Sequence, residues 1–128
     1  MYTISKEFAF SAAHTLNGLP ADHPCSRLHG HNYVVIVELS SVKLDHVGFV
    51  TDYRKLDPVK QYIDTNLDHK NLNDVLEFNP TAENIAKYLF KIFTKTFPQL
   101  SAVSVKETPK TLARYTPYGD ESPDTIGG

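Results

Sequence analysis

Residues 29–41, HGHNYVVIVELSS, determine how the rest of the sequence is interpreted. Every second position is either apolar or a histidine: His29, His31, Tyr33, Val35, Val37 and Leu39. Such alternation is typical of a β-strand with one buried face, because successive side chains of a strand point to opposite sides. Gly30 separates the two histidines and permits a close approach of backbone on the other face. The stretch therefore predicts a strand that begins with two imidazoles on the same side.

The segment 2–14 alternates in the same way, and its apolar parity ends on His14. If the two strands are antiparallel neighbours, the end of the first lies beside the start of the second. His14 would then lie within reach of His29 and His31. Three converging imidazoles predict a zinc site whose fourth position is open to water or substrate, which is the arrangement of catalytic zinc.

The remainder of the chain predicts two helices and two shorter strands. The first helix is expected to begin near Asp52 or Asp57, because either residue can cap it. The second helix follows a Thr81 cap and ends at Pro98. The strands are expected within residues 101–116, at SAVSVKET and TLARYT. The order β-β-α-α-β-β indicates an α+β domain whose antiparallel sheet has both helices on one face, and the open edges of so small a sheet favour an oligomer.

Composition and charge narrow the class of protein. With 128 residues, a net charge of −2 and scattered lysines and arginines, the chain is expected to form one domain that does not bind nucleic acid. No apolar run approaches about 18 residues and the N-terminus lacks a signal-peptide pattern, so neither a membrane span nor export is expected. The single cysteine cannot form an internal disulfide, which suits the cytoplasm. We expect the domain to span residues 1–118, followed by a polar, flexible tail at 119–128.

Cys25 lies in a polar loop, ADHPCSR, whose His23 we interpret as an ordinary surface residue. The cysteine has three interpretations. As a fourth zinc ligand it would close the site and make it structural. As a small buried side chain it would be inert. As a base or nucleophile it would need a thiolate, which a nearby zinc ion and Arg27 could stabilise.

Two acidic residues are further candidates. Asp68 precedes His69 in LDHKNLN, where the histidine either binds carbonyls at a helix end or forms a carboxylate–imidazole pair for proton transfer. Adjacent residues need a bend in the chain to meet in this way. Glu107 shares the parity of Val105 on the predicted buried face, where a carboxylate is costly unless it is paired. Its partner is either internal, such as Arg114 on the next strand, or a ligand with adjacent N–H donors, such as the guanidine-like edge of a heterocycle.

Six motifs, in this order and spacing, make the chain similar to a known family: FAFSAAH, CSRLHGHNY, FVTDY, LDHKNLN, NPTAEN and SAVSVKET. The chain resembles the 6-pyruvoyltetrahydropterin synthase family from residue 4 to about residue 116. The resemblance implies the tunnelling fold, in which subunits with this order of elements assemble into a barrel-lined oligomer, typically a hexamer.

The resemblance also implies roles for individual residues. The zinc ligands of the family match three histidines of this chain: His14, His29 and His31. Cys25 matches the catalytic cysteine that acts as a base, so the resemblance favours a base over a fourth ligand. Asp68 and His69 match the second half of the proton relay. Glu107 matches the carboxylate that anchors the aminopyrimidine edge of the pterin substrate.

The spacing between Cys25 and His29 refines the resemblance, because only three residues, 26–28, separate them. This short form resembles the bacterial 6-carboxy-5,6,7,8-tetrahydropterin synthases of the queuosine pathway. The implied reaction converts 7,8-dihydroneopterin triphosphate to 6-carboxy-5,6,7,8-tetrahydropterin, acetaldehyde and triphosphate, with zinc as the cofactor. Two alternatives stay open: a sister enzyme that makes 6-pyruvoyltetrahydropterin, and a zinc-stabilised module without catalytic activity.

Overall fold

The two long predicted strands form the centre of the fold. In the computed structural model, which describes residues 1–119, strand β1 spans Tyr2–His14 and strand β2 spans His29–Ser41. The strands are antiparallel and pair along their whole length, from Tyr2 opposite Ser41 to His14 opposite His29. The end of β1 therefore lies beside the start of β2, as the sequence predicted.

Three further strands complete the sheet of the described residues, in the order β3-β1-β2-β4-β5. Strand β4, Leu100–Lys106, pairs antiparallel with β2, and β5, Ala113–Tyr115, pairs antiparallel with β4. These are the two shorter strands predicted from the sequence. Strand β3, Lys70–Asn71, was not predicted and pairs in parallel with the end of β1. Two residues are too few to show any alternation.

The helices begin where their capping residues predict. Asp52 accepts a hydrogen bond from the Arg54 N–H and caps a 3₁₀ turn, Tyr53–Leu56, which leads directly into helix α1, Asp57–Asn66. A short helix α2, Leu72–Val75, was not predicted. Helix α3, Ala82–Phe93, is capped by Thr81 Oγ1, which accepts from the Asn84 N–H.

The predicted end of the last helix at Pro98 is wrong. Helix α3 ends at Phe93, whose carbonyl accepts hydrogen bonds from the N–H groups of both Thr96 and Phe97. This tight turn satisfies an orphan carbonyl of the helix end and stops the helix before the proline is reached. Phe97 nevertheless packs against the core, which explains why its spacing resembled that of a helical residue.

The hydrophobic core lies between one face of the sheet and helices α1 and α3. Val35 in β2 and Val103 in β4 are fully buried there, against Ile63 of α1 and Leu89 of α3 in the same cluster. Burial of each such side chain stabilises the fold by about 1.5–3 kcal/mol. The parity predicted for the buried face is therefore confirmed, and the fold is α+β with both longer helices on one face.

Within residues 1–119, the helices are all too short or too polar to cross a membrane. The tail expected at residues 119–128 lies outside the described residues, apart from Gly119.

Candidate active site

Three histidines converge at the end of the sheet where β1 stops and β2 starts. His14 lies opposite His29 in the strand register, and His31 follows two residues later on the same face. One ring nitrogen from each histidine lies within 4.8 Å of the others. His14 Nε2 and His29 Nε2 are only 3.0 Å apart. The convergence predicted from strand parity is therefore present in the fold.

Backbone carbonyls determine which nitrogen of two of these rings carries the proton. His14 Nδ1 lies 2.8 Å from the Pro80 carbonyl, and His29 Nδ1 lies 2.7 Å from the Arg27 carbonyl. A carbonyl oxygen only accepts, so each Nδ1 must be the donor and each Nε2 is left with a free electron pair. Two electron pairs that face each other at 3.0 Å favour a cation between them. Three imidazoles with this outer support fit Zn²⁺.

Burial favours the neutral form of two of the imidazoles, His14 and His31, and a metal binds that form. His14 is fully buried. Burial lowers the pKa of His14, and Glu107 only partly offsets the effect. Burial also lowers the pKa of His31. Both shifts have the sign expected for groups whose charged form loses solvation, and both leave a nitrogen electron pair available at neutral pH.

Tyr33 contacts the His14 ring at Nδ1, the nitrogen that does not face the other histidines, and sequence analysis missed this role. Its hydroxyl lies 3.1 Å from His14 Nδ1, so the N–H of His14 is shared between Tyr33 and the Pro80 carbonyl. The ring is fully buried and stacks on Phe10 at a centroid distance of 4.8 Å. The sequence showed Tyr33 only as an apolar strand position, although its place two residues after His31 indicated the same face.

Glu107 lies next to the histidines, immediately after β4. Its Oε2 is 3.5 Å from His14 Nε2 and 4.0 Å from His31 Nε2, and a quarter of its side chain is exposed. The predicted internal partner Arg114 is wrong. Arg114 lies opposite Ser104 in the β4–β5 register, so it shares the outer face of the sheet and pairs with Glu38 instead, with Nε 2.8 Å from Oε2.

Cys25 lies in a 3₁₀ turn, Pro24–Ser26, and is not a member of the cluster of ligand atoms formed by the three histidines. The residue is half-buried. Its carbonyl accepts a hydrogen bond from the Leu16 N–H at 2.9 Å, which ties the turn to the chain just after His14. Its own N–H donates to Nδ1 of His23 at 3.0 Å. His23, interpreted from the sequence as an ordinary surface residue, therefore caps the turn that carries the cysteine.

Asp68 and His69 meet through the bend that the sequence required. His69 has a φ of 58°, in the left-handed region that non-glycine residues rarely adopt. The bend brings Asp68 Oδ2 to 3.4 Å from His69 Nε2, and the histidine side chain is 82% exposed. Asp68 Oδ1 accepts from the Ser11 N–H, and the His69 N–H donates to the Ser11 carbonyl. The pair is thereby fixed to the edge of β1, and the Asp68 N–H also donates to the Ile63 carbonyl of helix α1 at 3.0 Å.

An open cleft of about 540 Å³ lies at this end of the sheet. Its lining includes His31 from the three-histidine cluster and His69 from the carboxylate–imidazole pair. Ala13 of β1 and Gly30 of β2, which are paired in the sheet, also line it. A side chain at position 30 would meet the Ala12 carbonyl at 3.6 Å and would reduce the space in the cleft. The cleft brings His31, a member of the three-histidine cluster, and the exposed imidazole of His69 to the same cavity.

Comparison of the sequence with known proteins finds tetrahydropterin synthases, both as a family and as individual relatives. A family model described as 6-pyruvoyl tetrahydropterin synthase matches residues 3–118. A 6-carboxy-5,6,7,8-tetrahydropterin synthase of Synechocystis sp. is 38% identical over 125 residues, which cover 90% of this chain and 93% of that protein. The protein of the same name from Bacillus subtilis is 32% identical, and the match covers 91% of this chain and 86% of that protein.

Solved structures of 6-pyruvoyl tetrahydropterin synthases have a similar fold. The structure of Caenorhabditis elegans 6-pyruvoyl tetrahydropterin synthase matches with a TM-score of 0.79 at 31% identity, over 93% of this chain and 96% of that one. The Plasmodium falciparum 6-pyruvoyl tetrahydropterin synthase shares the fold with a TM-score of 0.64, over 92% of this chain and 98% of that one, at 21% identity. The resemblance drawn from the six motifs and the predicted fold class are both confirmed. The chain belongs to the 6-pyruvoyl tetrahydropterin synthase family, which is a family of enzymes.

Proposed function

We propose that this protein is a zinc-dependent lyase that converts 7,8-dihydroneopterin triphosphate to 6-carboxy-5,6,7,8-tetrahydropterin, acetaldehyde and triphosphate. The observation that carries the proposal is the pair of Nε2 atoms, on His14 and His29, that face each other at 3.0 Å, in a cluster whose third member, His31, lines an open cleft. With His31 they provide three imidazoles, the donor set of some catalytic zinc sites.

Zinc, when bound by these histidines, supplies Lewis-acid chemistry that acidifies the side-chain hydroxyls of the substrate and the adjacent C–H. The redox change is internal to the substrate: the pterin ring is reduced while its side chain is oxidised, and triphosphate leaves. Cleavage of a carbon–carbon bond in the side chain, with addition of water, then releases acetaldehyde and leaves a carboxylate on the ring. The proposed reaction therefore needs no external redox cofactor.

Glu107 is the residue that we propose to hold the pterin ring. Its carboxylate is partly exposed and lies 3.5 Å from His14 Nε2, so a ring bound to it lies next to the metal ligands. The aminopyrimidine edge of a pterin offers two adjacent N–H donors, and a carboxylate can accept both. Because Arg114 pairs with Glu38, that arginine does not occupy the Glu107 carboxylate.

Cys25 and the Asp68–His69 pair are proposed to transfer protons. Cys25, as a thiolate, accepts a proton from the substrate side chain, and His69 donates or accepts one on the opposite side. Asp68, at 3.4 Å from His69 Nε2, orients the imidazole for this role. The short turn that carries Cys25 is tied by its carbonyl to the N–H of Leu16, two residues after His14, and this link supports a place for the cysteine at the same end of the sheet.

The carboxy-forming reaction is favoured by the names of the relatives and by one spacing. Proteins named 6-carboxy-5,6,7,8-tetrahydropterin synthase are 38% and 32% identical over most of the chain. The separation of Cys25 and His29 by only three residues is the short form. The alternative of 6-pyruvoyltetrahydropterin formation is supported by the Caenorhabditis elegans structure of that name, at 31% identity.

The wider setting of the reaction is part of the same proposal. We propose that the product enters queuosine biosynthesis, that the enzyme acts in the cytoplasm, and that it assembles into a homohexamer. A single cysteine suits a reducing compartment. The short strand β5 at one end of the sheet offers an edge that another subunit could extend.

Product analysis tests the proposal. The zinc-loaded protein is incubated with 7,8-dihydroneopterin triphosphate, and the products are identified by mass spectrometry. We expect 6-carboxy-5,6,7,8-tetrahydropterin together with acetaldehyde. Formation of 6-pyruvoyltetrahydropterin would mean that the same site catalyses the sister reaction. Absence of turnover by fully metal-loaded protein would favour the zinc-stabilised module without catalytic activity.

A further inference from the structure

The chain that follows β1 is held by two side-chain amides where a neighbouring strand would otherwise lie. Asn73 Oδ1 accepts from the Thr15 N–H at 2.8 Å, and Asn73 Nδ2 donates to the Thr15 carbonyl at 3.0 Å. Asn79 binds Asn17 in the same way. Its Oδ1 accepts from the Asn17 N–H at 2.9 Å, and its Nδ2 donates to the Asn17 carbonyl at 3.1 Å. Each amide presents one acceptor and one donor, as a peptide group of a strand does.

The turn with the cysteine occupies the opposite edge of the same segment. Leu16 lies between Thr15 and Asn17, and its N–H donates to the Cys25 carbonyl at 2.9 Å. The amides therefore bind residues 15 and 17, and the turn binds the residue between them. The segment 15–17 thus connects the two amides to the turn that carries Cys25.

Both amides are themselves fixed by helix ends. The backbone N–H of Asn73 donates to Asn71 Oδ1, the cap of helix α2, at 3.1 Å. The backbone carbonyl of Asn79 accepts from Asn84 Nδ2, in the first turn of helix α3, at 2.9 Å. The two asparagines belong to the motifs LDHKNLN and NPTAEN, for which the proposed reaction alone gives them no role.

We propose that Asn73 and Asn79 are positioning residues that set the place of Cys25 relative to His14. The inference rests on the proposed function, in which Cys25 works beside the metal held by His14. The amides hold the backbone of residues 15 and 17, the Leu16 N–H holds the turn, and the turn carries the thiol. His14 itself is held by the Pro80 carbonyl and by its pairing with β2, so the metal ligands do not depend on Asn73.

The substitution Asn73→Ala tests the proposal, because it removes both hydrogen bonds to Thr15. The chain has a single cysteine, so alkylation by iodoacetamide reports on Cys25 alone. We expect hydrogen exchange of the Leu16 amide and alkylation of Cys25 each to become at least about fivefold faster, since loss of even one of the two hydrogen bonds corresponds to that factor. Zinc stoichiometry should stay at the wild-type value, and kcat should fall with little change in KM.

Asn66→Ala is the matched control. Asn66 Nδ2 donates to the Tyr62 carbonyl within α1, so its loss removes an amide hydrogen bond without touching residues 15–17. Asn73→Asp and Asn79→Ala give independent versions of the test if Asn73→Ala does not fold. Asn73→Asp keeps the acceptor for the Thr15 N–H but places a second oxygen against the Thr15 carbonyl, and it should accelerate both rates.

Unchanged Leu16 exchange and Cys25 alkylation in the folded Asn73 and Asn79 variants would overturn the proposal. Equal acceleration in Asn66→Ala would overturn it as well, because the effect would then reflect general loss of stability. Both rates are measured without substrate, so they test the positioning role even if the wild-type protein fails to form the proposed product.

Discussion

His14 and His29 direct their Nε2 atoms at each other across 3.0 Å, while the Nδ1 atoms of both rings are held by backbone carbonyls. The carbonyls come from Pro80, just before helix α3, and from Arg27, just before β2. The fold therefore imposes the same tautomer on two imidazoles that come from different strands. This arrangement prepares the rings for a cation before it binds.

Replacement of His29 by alanine should therefore abolish tight zinc binding. His29 is only partly buried, so the substitution removes a ligand with little loss of packing. We expect zinc affinity to fall by at least about a hundredfold, since loss of even an outer-shell partner of a ligand costs 10–100-fold. Zinc content after dialysis, measured by atomic emission, checks this.

His46→Ala serves as the control for the loss of one histidine, because His46 lies on an exposed loop. Wild-type zinc affinity in the His29→Ala variant would show that the three-histidine cluster is not the metal site.

The sequence was sufficient for the central strand pair because both strands are long and bury one face. Thirteen residues in each of β1 and β2 repeat the two-residue period often enough to define their bounds, and the parity then places His14 and His31 together. Strand β3 and helix α2 were missed because two and four residues cannot show a period. Short elements of this kind form through tertiary contacts and not through their own pattern.

The partners of the candidate residues were less predictable than the residues themselves. The parity of Glu107 correctly indicated the face of the histidines, but its relation to Arg114 depends on the β4–β5 register, which the sequence does not contain. The Pro80 and Arg27 carbonyls could not be found at all, because every residue has a carbonyl. Only the fold determines which of them meets an imidazole.

Replacement of Cys25 by alanine should abolish turnover and leave zinc in place. The thiol lies outside the cluster of ligand atoms, so its removal does not change the metal's donor set. Loss of a general base costs about 10²–10⁴ in rate. Steady-state turnover and zinc content of the same preparation check the two halves of the prediction.

Ser26→Ala tests whether the turn alone explains the loss, because Ser26 Oγ donates to carbonyls of the loop and carries no thiol. This variant should retain most of the activity. Loss of zinc together with the Cys25 thiol would instead make Cys25 a metal ligand.

Removal of zinc by a chelator should abolish activity while the fold persists. The hydrophobic core lies between the sheet and helices α1 and α3, and it does not require the metal for its packing. Zinc binding to the folded state adds stability only according to its affinity and concentration. Circular dichroism after treatment with EDTA should retain the wild-type spectrum at 25 °C, with a lowered Tm, and added zinc should restore turnover. Unfolding on chelation would favour a zinc-stabilised module.

The ion pair between Glu38 and Arg114 should contribute stability that is lost in acid. A side-chain hydrogen bond from Arg114 holds the pKa of Glu38 below its usual value of 4.5. Since the pKa is lower in the folded state, this contribution is complete above pH 4.5 and declines as the pH falls through the folded-state pKa. We expect Arg114→Gln to lower the free energy of unfolding by about 1 kcal/mol or less at pH 7 and to flatten its decline below pH 4.5.

Urea unfolding of the wild-type and Arg114→Gln proteins between about pH 3 and pH 7 measures this difference, within the range where carboxylates titrate. Lys110→Gln, an exposed position, removes the same charge without removing the hydrogen bonds to Glu38 and should leave the acid slope unchanged. The two curves for wild type and Arg114→Gln should converge in acid, because protonated Glu38 no longer gains from the guanidinium. A constant separation at all pH values would mean that Arg114 stabilises the sheet by packing and not through the charge of Glu38.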